Sequence, residues 1–253
     1  CSADDTYGHG THVAGIAAAV DNAIGVIGVA PGAKLLAVEA CNENSCTLIS
    51  VWNGIRYVSN TNSNGTSGGD RRADVINISL GWSKNLKNTC PSCVTTFQTV
   101  VDEAWNKGVV TVAAAGNSGN SKGSGDNITY PARLNNVVAV AATMSNDKRA
   151  SFSSTGPALD LAAPGYGIFS TLTPGAYCTA PCSYGTLSGT SMASPHVVGA
   201  AALIIQSLDA NWSNATVVSK LTSTADLING STGCDSKYGC GLLDAKEAAT
   251  GAP

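Results

Sequence analysis

The chain has 253 residues, of which 43% are hydrophobic and 12% charged, and its formal net charge is −3. This hydrophobic content is enough for a buried core and argues against a disordered chain. Lysine and arginine do not cluster beyond Arg71 and Arg72, which argues against a nucleic-acid-binding or anionic-membrane-binding surface. The longest apolar run, 197–205, is too short to span a membrane.

Short runs rich in valine and isoleucine alternate with helical patterns along the chain. Four runs that are apolar on both faces are predicted to be buried strands of a parallel sheet: 34–39, 74–80, 109–114 and 137–142. Four segments have helical patterns: 12–20, 48–59, 97–107 and 190–207. The alternation predicts an α/β fold, a doubly wound, mostly parallel sheet with helices on both faces. Polar, Gly-rich segments are predicted to be surface loops: 60–69, 116–126 and 173–185.

Eight of the nine cysteines lie in close pairs, which predicts disulfides and an oxidising compartment. The candidate pairs are Cys41/Cys46, Cys90/Cys93, Cys178/Cys182 and Cys234/Cys240. Cys1 is left over, either as a free thiol or with a partner outside this chain. A redox or zinc role for the CxxC at 90–93 needs a suitable fold context or a second CxxC, and the sequence supplies neither. We therefore interpret it as a disulfide that clamps a loop.

Only three histidines occur, and all of them lie in two motifs, GHGTHVAG at 8–15 and GTSMASPHV at 189–197. Ser191 precedes an apolar helical run, so the backbone N–H groups at the helix start would stabilise a developing oxyanion. The alternative is an ordinary helix-capping serine. His9 opens a helix of small residues, and histidine has the pKa suited to activating a serine hydroxyl.

Asn117 follows a predicted strand, in the segment AAAGNSG at 113–119. At the carboxyl edge of a parallel sheet, where ligands bind, its side-chain amide can donate to an oxyanion. An asparagine that merely forms a turn is the alternative.

Together the motifs at 8–15, 79–81 (SLG), 113–119 and 189–197 resemble those of the subtilisin-like serine proteases, in the same order. The resemblance covers about residues 1–250. It implies a secreted, monomeric serine endopeptidase, made with a propeptide, that acts on peptides or proteins. In such an enzyme His9 is the general base, Ser191 the nucleophile and Asn117 an oxyanion donor beside the Ser191 N–H.

The same resemblance implies a groove in which the substrate backbone pairs with an edge strand. Residues on both sides of this groove are implied, together with a pocket for the side chain before the scissile bond. The edge-strand residues are Ser79, Leu80 and Gly81, the opposite side has Asn44 and Ser45, and the pocket has Ala114, Gly116 and Thr129. These pocket residues are uncharged, which predicts a preference for apolar or aromatic side chains.

The segment 20–26 resembles the loop that binds a structural Ca²⁺ in many subtilases. The ligands would be the carbonyl oxygens of Val20, Ile24 and Val26 with the side chain of Asn22, an oxygen-only set that suits a hard cation. The site would be partial, because the family's remaining ligands lie upstream of residue 1. An ordinary turn is the alternative. No organic cofactor is expected.

The family's catalytic aspartate precedes the histidine on a strand, but only eight residues precede His9. Asp4 and Asp5 are too close to His9 in sequence for that role. We therefore expect residues 1–253 to be a single peptidase domain that lacks its N-terminal strand or strands and its triad aspartate. A pseudoprotease or a binding module is the alternative. A metal hydrolase using His9, His12 and His196 is less well supported, because there is no HExxH and the protease motifs account for all three.

Overall fold

The computed structural model describes residues 5–41, 45–60, 72–174, 177, 183–228, 230 and 232–252. The helices are α1 (His9–Ala18), α2 (Leu48–Ser59), α3 (Leu86–Thr89), α4 (Pro91–Asn106), α5 (Thr190–Leu208), α6 (Asn214–Ser223) and α7 (Ala245–Thr250). The strands are β1 (Val75–Ile78), β2 (Val110–Ala114), β3 (Val137–Thr143), β4 (Leu161–Pro164), β5 (Ile168–Thr171) and β6 (Tyr184–Leu187).

A parallel sheet with the strand order β1-β2-β3-β4 forms the centre of the fold. Every residue of β2 and β3 is buried. Burial on both faces explains why these segments are continuously apolar and do not alternate between apolar and polar residues.

Helices cover both faces of this sheet. On one face, α4 packs against β2 and α2 packs against α4, in an apolar cluster that includes Val51, Phe97 and Ile76. On the other face, α5 packs against β2 through a cluster that includes Val112 and Val197. The prediction of a doubly wound α/β sheet is therefore confirmed.

Helix α5 is apolar around most of its circumference because it lies in the core. The stretch 190–211 has a mean hydropathy of 1.3 and is long enough to cross a membrane. In the fold, however, α5 contacts all four strands of the sheet together with α1, α6 and α7. These contacts account for its apolar character.

The antiparallel hairpin β5–β6 packs against α1. Gly15 permits this close approach, because a Cβ there would lie 2.1 Å from the Thr171 hydroxyl. His12 is fully buried at the same contact, with Nε2 at 3.1 Å from the carbonyl oxygens of both Ile168 and Gly185. His12 therefore joins α1 to the hairpin.

The prediction of a buried strand at 34–39 is wrong. This segment has no regular secondary structure and pairs with no strand among the described residues, and Leu35, Leu36 and Val38 are 61%, 47% and 39% exposed. An apolar run has the propensity of a strand, but burial also requires neighbouring strands on its edges.

The other predicted strands are present, and α2 has the predicted bounds, whereas α1 and α4 begin earlier than predicted. Residues 116–126 form a loop as predicted, but most of the 60–69 segment lies outside the described residues.

The buried carboxyl of Asp160 gives stability a dependence on pH. Burial raises its pKa from 3.8 to about 6, although the Ala139 N–H donates to it at 2.8 Å. A raised pKa means that the folded state binds the proton on Asp160 more tightly than the unfolded state does. The stability that this proton contributes is fully present below the unfolded-state pKa and is lost as the pH rises through about 6. We expect Asp160→Asn to remove this part of the pH dependence in urea unfolding. Asp209→Asn, at an exposed residue, is the control, and an unchanged profile in Asp160→Asn would contradict the assignment.

Candidate active site

A pocket of about 370 Å³ opens where β1 and β2 end and α5 begins. None of its lining residues is charged. They are Leu80, Gly81, Ser83, Ala114, Gly116, Asn117, Ser118, Thr129, Thr190 and Ser191. The pocket therefore brings together seven of the residues predicted for the site, namely Leu80, Gly81, Ala114, Gly116, Asn117, Thr129 and Ser191.

The side chain of Asn117 is held in one orientation by Thr190. Its Oδ1 accepts hydrogen bonds from the Thr190 backbone N–H at 2.9 Å and from the Thr190 hydroxyl at 3.0 Å. Because a backbone N–H must face an oxygen, the two donors fix which end of the amide is Nδ2. Nδ2 has no acceptor within the described ranges, so it is free to donate to a ligand in the pocket.

Helix α5 presents a second free donor to the same pocket. Its N-cap residue is Gly189, which has no side chain to cap the first turn. The Ser191 N–H consequently has no acceptor among the residues that the structure describes. The positive end of the helix dipole adds to the preference for negative charge at this point.

The start of α5 is joined to the end of β1 by a hydrogen-bond network. Pro195 lacks the N–H that would otherwise bond the Ser191 carbonyl oxygen, and the Ser79 hydroxyl donates to that oxygen at 2.8 Å. Asn77 Nδ2 donates to the Ser79 hydroxyl at 2.9 Å, and the Ser194 hydroxyl donates to Asn77 Oδ1 at 2.7 Å. The Ser191 hydroxyl donates to the Ser79 carbonyl oxygen at 3.1 Å. The network therefore fixes the position of Ser191 relative to the sheet.

Two glycines allow Thr129 to pack closely against the wall of the pocket. Gly116 has φ of +109°, and a Cβ there would lie 2.7 Å from the Thr129 methyl group. A Cβ at Gly81 would lie 2.7 Å from both the Thr129 hydroxyl and the Tyr130 carbonyl oxygen. A side chain at either glycine would thus collide with Thr129 or Tyr130, so both glycines are needed for this close packing.

The segment 79–82 has the free backbone groups of an edge strand. Trp82 is paired with Tyr130 by two reciprocal N–H···O bonds of 2.8 Å. Leu80 and Gly81, in contrast, make no backbone hydrogen bonds within the described part of the chain. An extended peptide could therefore pair with them.

His9 is the first residue of α1 and does not line the pocket. Burial, together with the nearby charge of His12, lowers the pKa of His9, while the charge of Asp5 opposes this shift. The imidazole makes no hydrogen bond to any described residue. The imidazole is therefore on the helix that packs against α5, and the Ser191 hydroxyl donates to the Ser79 carbonyl oxygen and not to His9.

Asp5 stabilises the start of α1. Its carboxylate accepts hydrogen bonds from the backbone N–H groups of Tyr7, Gly8 and Thr11 at 3.1, 2.7 and 2.7 Å. Burial raises its pKa, but these hydrogen bonds outweigh burial and the net pKa is lowered. Asp5 thus fixes the backbone around His9 and does not bond the imidazole.

Of the two residues predicted for the opposite side of the groove, only Ser45 lies among the described residues, and it does not line the pocket. Ser45 lines a separate depression of about 190 Å³ with Glu39 and Cys41. Asn44 lies outside the described residues. Ser45 and Ser191 therefore line different pockets in the described part of the structure.

The segment 20–26 forms an exposed loop after α1. Asn22 Oδ1 accepts from the Ile24 N–H at 2.8 Å, which closes a local turn. The carbonyl oxygens of Val20, Ile24 and Val26 accept no hydrogen bond from the described residues. Free carbonyls beside an amide oxygen fit a Ca²⁺ ion, which prefers neutral and anionic oxygen ligands.

Three of the predicted cysteine pairs lie in the described part of the chain, and the structure joins each of them. The S–S distances are 1.98 Å for Cys41–Cys46, 2.00 Å for Cys90–Cys93 and 2.12 Å for Cys234–Cys240. Cys1, Cys178 and Cys182 lie outside the described residues.

Sequence reasoning missed the residues that orient the site. The orienting roles of Thr190, Asn77 and Ser194 were not predicted, although Thr190 and Ser194 are fully buried polar residues at the start of α5. Polar residues on the buried side of an apolar helix are a usable signal, because a buried hydroxyl requires a partner.

A three-histidine metal centre is not formed. The part of the chain that the structure describes, which includes all three histidines, has no cluster of histidine, cysteine, aspartate or glutamate suited to hold a metal ion. His12 bonds the hairpin, and His196 Nδ1 lies 2.8 Å from the Met192 carbonyl oxygen.

Comparison with known proteins identifies the family. The model of the subtilase family (Peptidase S8) matches residues 2–241. Subtilisin amylosacchariticus of Bacillus subtilis subsp. amylosacchariticus is 44% identical over 246 residues, which is 97% of this chain and 56% of that protein. Subtilisin of Bacillus pumilus is 44% identical over the same length, which is 78% of that protein. The chain belongs to the subtilase family.

Solved structures agree with this assignment. A protease of Pseudoalteromonas arctica PAMC 21717 has a TM-score of 0.82 and is 36% identical, with 97% of this chain and 71% of that one covered. A lanthipeptide protease has a TM-score of 0.80 at 24% identity, which shows the shared fold. The chain spans little more than half the length of some of the curated relatives that it matches.

The hydrogen-bond network at the end of β1 should contribute to stability. We expect Asn77→Ala to lower the free energy of unfolding by about 2 kcal/mol, because it leaves the buried Ser194 hydroxyl without its acceptor. Urea unfolding monitored by circular dichroism measures this loss. Asn88→Ala, at an exposed residue of α3, is the matched control and should change the value by less than about 0.5 kcal/mol. Equal effects of the two changes would contradict the role of the network.

Proposed function

We propose that this subtilase is a serine endopeptidase that cleaves peptide bonds through an acyl-enzyme on Ser191. One observation carries the proposal: Asn117 and Ser191 line the same pocket, and neither Asn117 Nδ2 nor the Ser191 backbone N–H has an acceptor among the described residues. Attack on a peptide carbonyl places negative charge on its oxygen, and donors that are already oriented stabilise that charge without reorganisation.

In this proposal His9 is the general base. A serine hydroxyl is a weak nucleophile until a base removes its proton. Burial lowers the pKa of His9, so the imidazole is neutral and able to accept a proton near neutral pH. The Ser191 hydroxyl now donates to the Ser79 carbonyl oxygen, so it must turn toward His9 when substrate binds. Such contacts commonly form only in the substrate complex.

The substrate is proposed to be an extended peptide. Leu80 and Gly81 offer backbone groups to pair with it, as an added strand does at a sheet edge. The side chain before the scissile bond would enter the space beside Ala114, Gly116 and Thr129. Because no charged residue lines that space, we propose a preference for an apolar or aromatic side chain.

The Ca²⁺ ion is proposed to stabilise the loop 20–26. The ligands would be the carbonyl oxygens of Val20, Ile24 and Val26 and the side chain of Asn22, which have the oxygen chemistry that this cation requires. Bound Ca²⁺ would tie together a loop whose apolar side chains are largely exposed, with Val20 at 60% and Ile24 at 70%.

We further propose that the protein is exported and made with a propeptide. Three disulfides among the described residues suit an oxidising compartment. A binding module without catalysis is the competing function, because His9 has no carboxylate bonded to its ring within the described residues and Asp5 is used by the backbone. The next experiment separates the two.

Peptidyl phosphonates test the reaction and the pocket together. We expect a phosphonate with phenylalanine at the position before the reactive phosphorus to label Ser191, with an arginine analogue labelling more slowly.

Asn117→Ala should lower the labelling rate by about 10²–10³-fold, the loss known for removing one such donor in a subtilisin. The rate should fall on acidification with a midpoint below 6.5, since the pKa of His9 is lowered.

Intact-mass and peptide mass spectrometry would locate the adduct. Ser191→Ala should abolish labelling, and Ser118→Ala, at another serine of the pocket, should preserve it. Absence of any adduct in the unaltered chain would favour the binding module over the enzyme. A faster reaction with the arginine analogue would contradict the proposed preference.

Calcium binding predicts a stability change. Addition of Ca²⁺ to the metal-free chain should raise the melting temperature, because an ion that binds only the folded state stabilises it. Asn22→Ala should weaken this response, whereas Asn120→Ala, in a different exposed loop, should not. A response to Ca²⁺ that is the same in Asn22→Ala would show that the ion binds elsewhere.

A further inference from the structure

The disulfide Cys90–Cys93 lies at the first turn of a long helix. Cys90 is the N-cap of α4, Pro91 is the first helical residue, and α4 has 16 residues. The sequence alone shows only a CxxC spacing. The structure adds the position at a helix N-terminus, which is the setting that lowers the pKa of a cysteine thiol.

Several features of this turn favour a thiolate on Cys90. Cys90 is the C-cap of the four-residue α3 as well as the N-cap of the 16-residue α4, so the positive end of the longer helix dipole faces it, and the first turn of α4 contains no acidic side chain. The Ser92 hydroxyl lies 3.6 Å from Cys90 Sγ and can donate to it. The N–H groups of Cys93 and Val94 both bond the Cys90 carbonyl oxygen. The Ser92 N–H, in contrast, has no acceptor among the described residues.

The disulfide is accessible from solvent. Cys90 and Cys93 are both partly exposed, and the residues around them, Thr89, Pro91 and Ser92, are exposed. An external thiolate can therefore approach the sulfur atoms without unfolding of the core.

The other two disulfides of the described chain are at least as accessible, with Cys234 exposed and Cys41, Cys46 and Cys240 partly exposed, but they differ in their position relative to the helices. Cys41 and Cys46 are paired across an isolated β-bridge and precede the N-cap Thr47, whose own hydroxyl accepts the Ser50 N–H. Cys234 and Cys240 flank the bridged turn between Asp235 and Gly239. None of these four cysteines is the N-cap of a helix or lies within one. They provide internal controls.

We propose that Cys90–Cys93 is a dithiol–disulfide exchange site that is reduced by external dithiols before the other disulfides. A thiolate of the dithiol attacks Cys93 Sγ, the protein S–S bond breaks, and Cys90 leaves as the thiolate that the helix N-terminus stabilises. The second thiolate of the dithiol then attacks the mixed disulfide and displaces Cys93, which takes up a proton. The dithiol ends as a disulfide and the protein as Cys90 and Cys93 in their reduced forms.

This inference does not depend on the proposed peptidase activity, since thiol labelling is its readout. The folded full chain is treated with graded dithiothreitol at near-neutral pH, alkylated, and mapped by mass spectrometry. We expect Cys90 and Cys93 to be alkylated at a dithiothreitol concentration about 10-fold or more below that needed for Cys41–Cys46 or Cys234–Cys240. Circular dichroism confirms that the chain remains folded. Simultaneous reduction of all three, or earlier reduction of another pair, would overturn the proposal.

A second measurement tests the role of the helix. Cys93→Ser leaves Cys90 as a free thiol, and its rate of alkylation against pH gives its pKa. We expect a value below the ordinary 8.5 or so, and an upward shift in Cys93→Ser with Ser92→Ala. Cys240→Ser, which leaves Cys234 free, is the matched control with an ordinary pKa. A pKa of Cys90 at or above that of Cys234 would contradict the proposed thiolate stabilisation.

Discussion

The two hydrogen bonds from Thr190 to Asn117 Oδ1 determine what the pocket can bind. They satisfy the acceptor end of the Asn117 amide, whereas its donor end and the Ser191 N–H in the same pocket have no acceptor in the part of the chain that the structure describes. An apolar or positively charged group would leave both donors without acceptors. The arrangement is therefore suited to a group that is, or becomes, negatively charged.

The rest of the fold keeps these groups in place. The parallel sheet brings the ends of β1 and β2 to the same edge, and α5 is fixed across the sheet by its buried face. Pro195 removes one helical hydrogen bond, and Ser79 replaces it from the end of β1. The irregular helix start and the polar strand end thus depend on each other, and each satisfies a group that the other leaves free.

The sequence predicted much of the sheet and of the pocket but less of its supporting contacts. Three of the four apolar runs became parallel strands, because burial on both faces leaves a continuous apolar signal. The run at 34–39 did not, since pairing depends on neighbours that local sequence does not specify. Ser191, Asn117 and Gly116 stood in recognisable motifs, whereas the hydrogen-bond partners of Thr190 and Asn77 are distant in sequence, and no local pattern specifies which residues they are. The position of Cys90 as a helix cap likewise required the structure.

A crystal structure of the chain with a phosphonate bound to Ser191 tests the central claim most directly. The account predicts that one phosphonate oxygen lies about 2.7–3.1 Å from both Asn117 Nδ2 and the Ser191 backbone nitrogen, with the two Thr190 bonds to Asn117 Oδ1 retained. A phosphonate oxygen directed away from both donors, or an Asn117 side chain turned away from Thr190, would contradict it.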